Sequence, residues 1–77
     1  MTLEQDLEVG ECYRNRTSSN IYVIIYIDDT HLKYAINEIH KQATMSIDAF
    51  KEGIKRGSLS RLGKMSEGEL AKYLLQR

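Results

Sequence analysis

Two carboxylates and an imidazole fall within four residues of this 77-residue chain: Asp28, Asp29 and His31. Oxygen and nitrogen donors so closely spaced could hold a divalent cation. The same Asp-Asp-Thr-His run is also turn chemistry, because an aspartate side chain readily bonds the backbone two residues on. The turn is the preferred reading, so no metal site is assigned and no cofactor is expected. His40 lies nine positions beyond His31 and shares no ligand spacing with it. The single cysteine, Cys12, could be a nucleophile with His31 or His40 as its base, but a lone cysteine in a strand-like run behaves as a small apolar residue. One cysteine also excludes an internal disulfide and a Cys-based zinc site within one chain. No nucleophile elbow, phosphate-cradling glycine loop or zinc-protease motif occurs. A chain this short also has little room for a substrate pocket. The sequence reads as non-enzymatic, with no catalytic residue.

A second chemistry is electrostatic. Lys51, Lys55, Arg56, Arg61 and Lys64 follow one another with Glu52 as the one acid among them, a run able to meet a phosphate backbone. Tyr22, Tyr26 and Tyr34 could add base stacking. Formal net charge is zero and hides a division. Residues 1–29 carry six carboxylates against two arginines, residues 30–65 carry seven cations against three carboxylates, and residues 66–77 balance. The acidic first third would repel phosphates, which favours a solvated helix face over a nucleic-acid site.

These residues must be positioned by few elements. A chain of this size buries roughly 60% of its unfolded surface, so it needs tight packing or self-association. The chain has no proline, repeat or linker and reads as a single domain, 1–77. No apolar run reaches the ~20 residues that span a membrane. The acidic Met1–Gly10 stretch lacks the apolar core of a signal peptide, so a cytoplasmic setting is expected. The Asn15-Arg16-Thr17 sequon is read as chance for the same reason.

Glu11–Arg16 reads as a strand after Gly10, and residues 17–20 as a polar turn. Ile21–Ile27 is wholly β-branched and aromatic: Ile21, Val23, Ile25 and Ile27 take one face, Tyr22, Ile24 and Tyr26 the other. A strand apolar on both faces is central in a packed sheet or curled so that both sides are covered. Leu32–Asn37 is a half-buried partner strand, and Ala43–Met45 a short last one. Ser46 caps a helix that Gly57 ends, with Ile47, Phe50 and Ile54 inward. Ser58–Lys64 reads as a connection. Ser66 with Glu69 forms a capping box, Met65 and Leu70 a staple, and Leu70, Tyr73 and Leu74 a stripe along a last helix.

Gly10-x-x-Tyr13-Arg14-Asn15, Ser19-Asn20-x-Tyr22-x-Ile24, Ile27-Asp28-Asp29 and Phe50-x-x-x-Ile54-x-x-Gly57 together resemble uncharacterised short archaeal, bacterial and viral proteins of the small SH3-like β-barrel type. The resemblance covers residues 9–59 and implies an α+β fold. The expected fold is an SH3-like antiparallel β-barrel over residues 7–45, of four or five strands, followed by a short helix at 47–56 and a C-terminal helix at 66–76. It carries no catalytic motif. With the small size, it implies a viral or mobile-element accessory or regulatory protein. The expected function is a non-catalytic protein-interaction module that binds a host protein, or itself as a homodimer, through Leu70, Tyr73, Leu74, Tyr22 and Tyr26. The alternative is a nucleic-acid-binding module using Lys51, Lys55, Arg56, Arg61 and Lys64.

Overall fold

The computed structural model describes residues 7–75. The elements run β1 (Glu11–Asn15), β2 (Ile21–Ile27), β3 (His31–Ile36), β4 (Glu38–Ser46), α1 (Ile47–Arg56), β5 (Leu59–Lys64) and α2 (Glu67–Leu74). The strands form one antiparallel sheet in the order β4-β3-β2-β1-β5. The fold is α+β, a five-stranded sheet with two helices. It is not a closed barrel, because β4 and β5 end the sheet and do not pair with each other.

The two apolar faces of β2 are covered by different helices. Ile24 packs with Tyr13, Leu32, Tyr34, Phe50 and Leu59 on the α1 side. Val23 packs with Ala35, Ile39 and Tyr73 on the α2 side. A central strand between two layers therefore accounts for the continuous run of Ile21–Ile27. The run does not alternate to its end. A bulge between Ile24 and Tyr26 leaves Ile25 without a partner on β3, and the pairing resumes as Tyr26–Lys33 and Ile27–Leu32. The extra residue reverses the faces, so Ile27 joins the α1-side core instead of sharing the face of Val23.

The α1 side is the larger core. The Tyr13 and Phe50 rings meet edge to face at 5.0 Å, and Tyr22 lies on Tyr34 at 4.6 Å. Phe50 is fully buried, and removing its ring would cost about 3–5 kcal/mol. α1 spans 47–56 as its caps require. Ser46 Oγ accepts from Ala49 N, and Gly57 takes the left-handed conformation at φ 88°. Gly53 lets this helix lie close on the sheet, since a Cβ there would stand 3.0 Å from Leu59 Cδ1.

That contact bears on the largest departure from the sequence reading. Leu59–Lys64 is not a connection but the edge strand β5, paired along β1 from Glu11–Lys64 to Asn15–Leu59. Its periodicity is hidden by a bulge at Cys12/Tyr13 that leaves Leu62 with no opposite residue. β4 also extends well before the expected Ala43–Met45, because Asn37 makes the turn at φ 66° and its Oδ1 accepts from Ile21 N at 2.9 Å.

Candidate protein-interaction groove

α2 begins as the capping box dictates. Ser66 Oγ accepts from Glu69 N at 3.2 Å, and Ser66 N donates to Glu69 Oε1 at 3.0 Å. The helix lies on the second face of the sheet with Tyr73 inward and Leu70 near Gly10. With only 8 residues it covers part of that face. Between its first turn and strands β1, β2 and β5 lies a groove of about 340 Å³, lined by Cys12, Ile21, Leu62, Gly63, Lys64, Met65 and Glu69. Its floor is apolar, and Lys64 and Glu69 provide charge. Leu62 reaches it because the β1–β5 bulge leaves it unpaired at 53% exposure.

Chemistry in this groove is limited by its cysteine. The Cys12 thiol donates to Gly10 O at 3.6 Å. Burial pushes its pKa up, the Glu69 and Glu11 carboxylates add to this, and Arg61 offsets part of it. A thiol held in its protonated form is a weak nucleophile. The groove is also too open to surround a small substrate, which true pockets bury by 70–90%. Its apolar floor has room for one or two apolar side chains.

The five residues expected at a protein interface do not gather in one place. Tyr73 is 8% exposed and belongs to the core. Tyr22 is half-buried on the α1 side, where its hydroxyl accepts from Asn15 Nδ2 at 2.9 Å. Leu70 is half-buried, and Leu74 and Tyr26 are exposed, as is Leu75, which follows Leu74. Sequence reasoning missed Ile21, Leu62 and Met65 as groove residues. The available signal was Leu62, an apolar residue out of phase in a polar run.

The five cations of the alternative site are dispersed too. Arg56 is paired with Glu52 at 2.8 Å, Arg61 with Glu11 at 3.4 Å, and Lys64 with Glu8. That last pairing holds the Glu8 carboxyl below its usual range. Lys55 is exposed and Lys51 half-buried on α1. Tyr26, opposite Lys33, faces the other side of the sheet from α1. It stands with Asp28, His31, Leu32, Lys33 and Thr44 around a depression of about 260 Å³.

The Asp28–His31 segment is a turn. Asp28 Oδ1 accepts from Thr30 N at 2.9 Å and His31 N at 2.7 Å, and these bonds lower its pKa. Thr30 Oγ1 meets His31 Nδ1 at 2.8 Å. Among the described residues no three His, Cys, Asp or Glu side chains are placed to hold a metal ion. His40 stands apart, 3.6 Å from Glu38.

No protein-family model, curated protein or solved structure matches this chain. No helix among the described residues is long and apolar enough to cross a membrane.

Proposed function

We propose that this protein is a non-catalytic protein-interaction module. The observation that carries the reading is the incompletely covered second face, with the apolar groove of Cys12, Ile21, Leu62 and Met65 beside α2. The occupant is a protein segment that presents apolar side chains to this floor. Strands β1, β2 and β5 hold most of the lining, and Met65 and the first turn of α2 close it. A small accessory or regulatory role, in a virus or mobile element acting on a host protein, is in keeping with the size and the sequence resemblance. The small-barrel relationship belongs to the same proposal. A sheet whose β5 returns to β1 has the order that a five-stranded barrel would have before its end strands meet.

The second reading is nucleic-acid binding. Exposed Tyr26 beside the Lys33 ammonium favours it, since a stacking ring and a nearby cation are the elements of a single-strand site. The opposing facts are the carboxylate partners of Arg56, Arg61 and Lys64, and the placement of α1 on the other side of the sheet.

Affinity capture from the encoding organism's lysate and, for a viral chain, from its host separates the two readings. Wild type should retain a protein that Leu62→Asp loses, while Lys55→Glu with Arg56→Glu retains it. Equal capture by Leu62→Asp, or saturable oligonucleotide binding that weakens steeply with salt, would sink the groove reading.

A further inference from the structure

The two end strands of the sheet differ in how they are protected. Exposed edges invite pairing with another chain, and proteins block them with charge, bulges and irregular backbone. β5 carries all of these: a bulge, Arg61, Lys64 and Gly63. β4 is irregular in its first half, where Ile36 pairs with Glu38 but Ala35 pairs with Gln42. Its second half, Gln42–Ser46, pairs residue for residue with β3 and contains no charged residue and no proline. Among the described residues nothing pairs with its outer side.

The backbone of this segment is in phase for pairing. Ile47 N donates to Thr30 O at 2.9 Å, which fixes 30–47, 32–45 and 34–43 as the hydrogen-bonded pairs of the β3–β4 ladder. The amides of Gln42, Thr44 and Ser46 and the carbonyls of Gln42 and Thr44 therefore point away from the sheet, while the carbonyl of Ser46, the N-cap, serves α1. We propose that the occupant is a second copy of this chain, and that two β4 strands pair antiparallel about a two-fold axis at Thr44. This interface is separate from the Leu62 groove and does not rest on it.

The two-fold register is self-complementary. Thr44 faces Thr44 of the other copy, a favourable cross-strand pair. Gln42 faces Ser46, polar to polar. Ala43 faces Met45, and both are half-buried apolar residues at the margin of the α1-side core. The nearest like charges on the open face are the two Lys33 side chains. Each lies one strand inward of Thr44, so three strand spacings, about 14 Å, separate them. That exceeds the ~8–10 Å screening length at ordinary salt. The product is a continuous ten-stranded sheet with a well-formed centre, and it supplies the added burial that a chain of this length needs.

Sedimentation equilibrium over a micromolar to millimolar concentration series tests the interface. Wild type should pass from its 8.9 kDa chain mass to twice that value. Thr44→Lys keeps the monomer folded, because Thr44 is exposed on the open face, and the local cost of standing opposite Lys33 in its own chain is read separately by a thermal melt of the dilute monomer. In the dimer it sets two ammonium groups opposite each other, and it should weaken association by roughly tenfold or more. Thr44→Glu alone should do the same, and an equimolar mixture of the two variants should restore the dimer. A wild-type chain that stays monomeric throughout, or a dimer indifferent to Thr44→Lys, would overturn the proposal. Loss of partner capture by Leu62→Asp without change in mass would leave it untouched, so the two readings fail separately.

Discussion

Tyr73 offers a sharp test of how α2 is held. Its ring is 8% exposed within the second core, and its hydroxyl is a buried polar atom with no hydrogen-bond partner among the described residues. Leaving a buried hydroxyl unpaired costs about 1–3 kcal/mol. Tyr73→Phe removes that cost and keeps the ring against Val23, Ala35 and Ile39. The variant should be more stable by about 1 kcal/mol at the lower end of that range. For a domain of this size the melting temperature should rise by about 4–8 °C. Tyr73→Ala should cost about 3–5 kcal/mol, because the ring itself is lost. Urea and thermal unfolding followed by circular dichroism read both variants. A Tyr73→Phe protein less stable than wild type by 1 kcal/mol or more would show that the hydroxyl is bonded, and would refute this packing of α2.

Three further outcomes follow from the same geometry. Burial, together with the hydrogen bond its hydroxyl donates to Glu11 Oε1 at 3.0 Å, pushes the Tyr13 pKa up to about 12. The folded state therefore holds this proton more tightly than the unfolded chain, whose tyrosines titrate near ~10. The associated stability is present below ~pH 10 and is lost as pH rises towards about 12, a loss that Tyr13→Phe should reduce in alkaline unfolding curves. Asp28→Ala should lower the melting temperature through the β2–β3 turn, and by the same amount with or without a chelator, as thermal melts will record. Ser66→Ala removes the hydroxyl of the capping box and should cost about 1 kcal/mol, with faster hydrogen exchange confined to α2.

What was legible in the sequence was mostly local. Ser46 and Gly57 bound α1 because capping chemistry is a property of a few adjacent residues. The Ser66–Glu69 box opened α2 for the same reason. Ile21–Ile27 announced a central strand because both of its faces are apolar. What escaped depended on long-range register. Bulges at Ile24/Tyr26 and Cys12/Tyr13 break the two-residue period, so Ile27 changed face and β5 looked like a connection. The sheet stayed open because its end strands do not meet, a fact no single strand encodes. The α2 stripe was visible, but a stripe looks the same whether it faces its own sheet or another protein. Tyr73 turned out to face the sheet, and the apolar floor that stays open lies beside the helix, on Ile21, Leu62 and Met65.

The groove is tested most directly by amide chemical-shift mapping of isotope-labelled protein titrated with the captured partner. The account expects the largest changes at Cys12, Ile21, Leu62, Gly63 and Met65, with Tyr26, His31 and Lys33 little affected. Changes centred on Tyr26, His31 and Lys33, with the Leu62 region silent, would contradict it.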